Sequence, residues 1–189
     1  TKHWVPLGPA LAVAASRHDP ATTSYGEALE IAEDGEYVAV WGKTMDGEAF
    51  VDIYSYNLLM HGGEIIDEWV WLTEIPLSLA GGATMCFDKM GRRLAIGSYG
   101  QDETESSILI YDQSDSNRAE WTRQTDPMGG ASFTPGGTYG SVVSLSADGK
   151  RLAFGTKEGK GNFVAVMELV QDATGNEEWI PLGKVHATT

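Results

Sequence analysis

The chain has 189 residues, 42% of them hydrophobic and 21% charged, and its 27 acidic against 13 basic side chains give a formal net charge of −14. That length and mix suit one domain with a core of its own. So acidic a surface repels phosphate backbones and anionic lipid, which argues against nucleic acid and membrane surfaces as partners; no apolar run approaches the roughly 18 residues of a spanning helix.

In chain order the first element is "WVPLG" (4–8), a Trp-led strand; the apolar stretch "LGPALAVAAS" (7–16) lacks the basic flank of a signal peptide. A connector of small and turn residues follows (10–24). "YGEALEIAEDGEYVAVWG" (25–42) reads as two strands around an Asp34-Gly35 turn, because that pair supplies positive φ between alternating runs. "FVDIYSY" (50–56) is a third strand with β-branched residues, and "EWVWL" (68–72) brings the tryptophan back. The series then recurs as "GGATMCFDKMGRRLAIG" (81–97), "SILIYDQ" (107–113) and "EWTRQ" (120–124). It recurs again as "YGSVVSLSADGKRLAFG" (139–155), "FVAVMEL" (163–169) and "EWIPLG" (178–183). In each copy a glycine (Gly26, Gly82, Gly140) stands nine residues before the turn glycine (Gly35, Gly91, Gly149), and Ile53, Ile110 and Val166 take equivalent places.

Short strands at a regular period, with turn signals and almost no helical periodicity, predict an all-β fold. The expected architecture is a β-propeller-type array of three four-stranded antiparallel blades of about 57 residues each. Residues 1–189 are expected to form one repeat domain, by itself or as part of a larger propeller, with repeats at approximately 4–68, 69–120 and 121–183. Each is framed as a Trp-led strand, two strands joined by the Asp-Gly type turn, and a β-branched fourth.

The third copy, "YGSVVSLSADGKRLAFGT…GNFVAVMEL…EWIPLG", resembles the FG-GAP repeat of integrin-α-type propellers. The closer likeness is to a variant whose blades read W-x-x-LG, then (F/Y)G-x-S-V-S-L-S-x-DG-x-x-LA-x-G, then a V-x-V-Y/M-E-L strand. The resemblance runs over essentially the whole chain and implies a propeller fold. It carries no single function, because propellers host many. Calcium-binding members carry a D-x-D-x-DG loop, whereas the turns here, "AEDG", "DKMG" and "SADG", have too few spaced oxygens for a cation that takes six or more. No metal is expected.

Catalytic signals are missing as well. His3, His18, His61 and His186 are scattered, so no zinc site is predicted. "GTKEGKG" (155–161) lacks the Ser/Thr of a phosphate loop and lies between strands, so it reads as a hairpin loop. Adjacent carboxylates such as Asp67/Glu68 and Glu177/Glu178 point to opposite faces of a strand, which suits general acid–base work badly. The acidic stretches "SYGQDETES" (98–106) and "YDQSDSN" (111–117) read as solvated. The expectation is no catalytic residue, no cofactor and no enzyme. Cys86, the single cysteine, excludes an internal disulfide, and no asparagine begins an N-x-S/T acceptor. Both features lean toward a reducing, intracellular compartment.

The tryptophans are the more informative residues. Trp4, Trp71 (or Trp69), Trp121 and Trp179 recur with the repeat, which predicts packing between adjacent sheets. Trp41 stands where the other copies have Gly97 and Gly155. It either fills a gap or stands exposed as a contact, and the contact reading is the one adopted. Three blades are too few for a ring, so the outermost sheets are expected to be interfaces, with Trp4, Trp41 and Trp179 as candidate contacts. The functional expectation is a structural or scaffold protein that packs against itself or a sister propeller domain, as in a coat or shell. The alternative is an adhesion module for a glycan or protein.

Overall fold

The computed structural model describes residues 11, 22–61, 64–78, 80–99, 106–124, 139–156 and 163–186, which hold twelve strands and no helix. The first sheet consists of β1 (Thr22–Ile31), β2 (Tyr37–Thr44), β3 (Ala49–His61) and β4 (Glu64–Leu77). The second consists of β5 (Gly82–Phe87), β6 (Arg93–Tyr99), β7 (Ser106–Gln113) and β8 (Trp121–Arg123). The third holds β9 (Tyr139–Leu145), β10 (Arg151–Thr156), β11 (Phe163–Gln171) and β12 (Glu177–His186). Every sheet is an antiparallel meander in which each strand pairs with the next in the chain. The predicted all-β class and the count of three four-stranded sheets are both present.

The turns that start each sheet are longer than the Asp-Gly pair alone. Ser146 N–H donates to the Arg151 carbonyl and Gly149 N–H to the Ser146 carbonyl, each at 2.8 Å, leaving a four-residue loop at 147–150. The same two bonds recur at 32–37 and 88–93. Gly35, Gly91 and Gly149 sit at φ between +66° and +75°, a region costly for residues with a Cβ. An aspartate braces each loop: Asp34, Asp88 and Asp148 each accept a backbone N–H with one side-chain oxygen.

The sheets also differ in phase from the sequence repeats. The tryptophan segments close each sheet, since β4, β8 and β12 pair with β3, β7 and β11. A repeating sequence shows its period but not its starting point; here the hydrogen bonds set it, with β3 and β4 paired from Ala49↔Leu77 to His61↔Glu64. The register also settles which tryptophan of "EWVWL" is equivalent to the others. Trp69 faces Tyr56, Trp121 faces Gln113 and Trp179 faces Leu169, three residues beyond Ile53, Ile110 and Val166 respectively.

Two apolar seams join the sheets. Ala39, Trp41, Val51, Ile53, Ile75 and Leu77 of the first meet Ala83, Met85, Phe87, Leu94, Ile96 and Leu109 of the second. The opposite face of the second, with Ala95, Ile108 and Ile110, meets Val143, Leu145, Leu152, Phe154, Met167 and Trp179 of the third. Alternation along each strand decides which seam a residue enters: Leu94 and Ile96 point one way and Ala95 the other. Burial of one such large side chain contributes about 1.5–3 kcal/mol. The first strand of the following sheet lies deepest in each seam, β5 against β1 and β9 against both β5 and β6.

Candidate interaction faces

Positions counted from the turn glycine have the same job in successive sheets. A Cβ added at Gly91 would overlap the ring of Tyr37, and one at Gly149 would come within 3.3 Å of Arg93 Cδ. Tyr37 and Arg93 both lie two residues after their own turn glycine, so each turn seats on that position of the preceding sheet. A polar tie reinforces each seat. Arg118 donates Nε–H to the Tyr37 hydroxyl at 2.6 Å and Nη2–H to Glu36 at 2.9 Å, with its guanidinium 4.9 Å from the Tyr37 ring centre. Trp121 meets Tyr37 edge-on, 79° between planes. At the second seam Arg93 donates Nη1–H to the Gly149 carbonyl at 2.9 Å and Nη2–H to Asp112 at 2.6 Å. The Asp112 hydrogen bond holds the Arg93 pKa above its ordinary value. A cleft of about 290 Å³ beside it is lined by Arg92, Arg93, Asp112, Asp115, Lys150 and Glu177; Arg92 there pairs with Asp115 at 2.9 Å.

The first sheet carries a polar insert on the face turned away from the second. Asp52 is buried and accepts from Tyr25 Oη–H at 3.1 Å and Trp71 Nε1–H at 2.9 Å, while the Tyr25 and Tyr54 hydroxyls bond to each other at 2.8 Å. Burial pushes both phenols up, so they keep their protons near neutral pH. Hydrogen bonds thus join Asp52, Tyr25, Tyr54 and Trp71 in one cluster. Asp52 stands where the other copies have Leu109 and Ala165. That substitution is visible when "FVDIYSY", "SILIYDQ" and "FVAVMEL" are aligned, and it was the signal available for this cluster.

Of the residues predicted as contacts, Trp4 lies outside the described residues. Trp41 is 3% exposed and Trp179 is 7% exposed, each inside a seam of this chain. Trp41 thus takes the filling place of its two alternatives, a buried indole where the other sheets have Gly97 and Gly155. The indole nitrogens of Trp41, Trp121 and Trp179 are buried with no hydrogen-bond partner, so these rings act as apolar volume. Cys86, on β5, is half-buried, and burial pushes its thiol up, which keeps it protonated and unreactive. Among the described residues no three His, Cys, Asp or Glu side chains are placed to hold a metal. Most of "GTKEGKG" and the centre of "SYGQDETES" lie outside those residues. Among them, too, no helix is long and apolar enough to cross a membrane.

What the stack leaves open is at its two ends. Leu29 and Ile31 of β1 are 64% and 52% exposed, whereas Met85 and Phe87, and Val143 and Leu145, at the same distances before the turn glycine, are buried. On the third sheet's outer face Val142 is 63% and Val164 47% exposed, with Ile180 and Leu182 also exposed. No protein-family model matches this chain, and no curated protein matches it in sequence.

Proposed function

We propose that this chain is a non-enzymatic assembly module: three FG-GAP-like propeller blades whose uncovered end sheets pack against a further copy or a sister propeller domain. One observation carries the reading. Apolar positions that are buried wherever one sheet meets the next stand exposed on β1 and on the outer face of the third sheet, and exposed apolar sheet of this kind marks an association surface. Light scattering over a concentration series tests it. The expected outcome is a mass that rises above the 20.4 kDa of one chain through an interface of more than roughly 1,000 Å². A monodisperse 20.4 kDa species at high concentration overturns the reading and favours the adhesion module.

A further inference from the structure

Resting on that assembly reading, we propose that association is head-to-tail between two copies of this chain. β1 and the 33–36 loop of one copy dock on the β9–β10 face of the other, repeating the seam that the chain already makes twice within itself. The two surfaces are the unfilled halves of one interface. On the side that receives the preceding sheet, Met85/Phe87 and Val143/Leu145 are all buried, and their counterparts Leu29/Ile31 are exposed. On the side that receives the following sheet, Val51 and Ile108 are fully buried and their counterpart Val164 on β11 is exposed, as is Val142 on β9, across Gly155 of β10 from it.

The turns carry the same asymmetry. A Cβ at Gly91 or Gly149 meets the preceding sheet, while a Cβ at Gly35 has nothing within 4 Å. Arg93 is 14% exposed under the third sheet's turn, and Arg151, its equivalent in the third sheet, is 63% exposed and its guanidinium reaches, among the described residues, only its neighbour Glu168 at 3.2 Å. In the docked pair Arg151 stands to the Gly35 carbonyl as Arg93 stands to that of Gly149. Charge is complementary on balance: the 33–36 loop exposes Glu33, Asp34 and Glu36, and the facing side exposes Lys150 and Arg151 against a single acid, Asp148, in the same turn. The contact is confined to β1 and its loop, because Val38, Val40 and Tyr54 in the middle of that sheet are already covered by Leu11, Tyr25, Trp69 and Trp71. Such a contact joins two different patches, so it repeats until the rotation closes. Two copies bring six sheets, within the four to eight of closed rings.

Complementation by mixing tests the proposal. Ile31→Asp blocks one patch and Val142→Asp the other, both at exposed positions where the fold tolerates charge; Leu29→Asp and Val164→Asp form a second pair if either variant melts early. The expected result by analytical ultracentrifugation is wild type above 20.4 kDa, each variant alone at that mass, and an equimolar mixture at about twice that mass. A wild type that stays monomeric overturns this proposal together with the assembly reading. Associating wild type with a mixture that fails to pair, or with only Val142→Asp dissociating it, overturns the head-to-tail contact and leaves the assembly reading standing.

Discussion

Gly35 and Gly91 occupy one turn position at nearly the same φ, +75° and +66°, yet only Gly91 has a neighbour to collide with. Alanine at either site carries a left-handed penalty of about 1 kcal/mol. At Gly91 the new methyl also overlaps the Tyr37 ring, an overpacking cost of roughly 1–3 kcal/mol. Gly91→Ala is therefore expected to lose at least about 1 kcal/mol more than Gly35→Ala in urea denaturation of monomer, and equal losses would refute the seating of that turn on the first sheet. A second residue-level prediction concerns Asp172. Its carboxylate accepts from the Thr174 hydroxyl and from the Thr174 and Asn176 N–H groups, which lowers its pKa to about 2. A depressed folded-state value contributes stability above the ordinary aspartate pKa of about 4 and loses it as pH falls toward about 2. Carbon-detected NMR titration should place Asp172 near that lower value. Asp172→Asn should lower the melting temperature at pH 7 and cease to matter at pH 2; a titration near 4 would contradict the hydrogen-bond set.

Between elements, two arginines at one repeat position separate the cost of a seam from that of a surface pair. Arg93 joins β6, β7 and the turn of the third sheet through Asp112 and Gly149, so Arg93→Ala leaves the partly buried Asp112 carboxylate with the Gln124 amide but no cation, and the Gly149 carbonyl without the guanidinium. Hydrogen bonds to charged groups are worth about 1.5–3 kcal/mol. Arg151 makes an exposed pair with Glu168, a class worth about 0–1 kcal/mol. In monomeric protein, chemical denaturation should show Arg93→Ala destabilising by roughly 1.5–3 kcal/mol and Arg151→Ala by less than about 1 kcal/mol. Similar losses for the two would mean that the Arg93 tie does not hold the second seam.

At the scale of the whole molecule, the net charge of −14 is a self-repulsion that salt screens. Asp112 and Asp115, the carboxylates of the acidic stretch "YDQSDSN", face Arg93 and Arg92 and so are already engaged by cations of the chain. Millimolar Ca²⁺ is accordingly expected to move the melting temperature no more than Mg²⁺ does at matched ionic strength. A saturable stabilisation by Ca²⁺ alone would establish a calcium site that the turn sequences do not announce.

Period, strand content and turn positions were legible in the chain because they rest on local rules: alternation every two residues, and glycines that permit positive φ at Gly35, Gly91 and Gly149. The phase of the sheets, the equivalence of Trp69 with Trp121 and Trp179, and the inward place of Trp41 were not legible. Each depends on which strand takes up a hydrogen-bond ladder and which face meets a neighbouring sheet, and those choices sum contacts between residues tens of positions apart. Trp41 shows the limit clearly. Alone in "YVAVWG" an indole in place of glycine fits a filler or, as the sequence reading favours, an exposed contact, and only the arrival of β5 against β1 and β2 makes it a buried side chain. The exposed positions belong to the same class: Leu29 and Ile31 read as ordinary strand residues, and only the stacking of sheets leaves them at an end of the array.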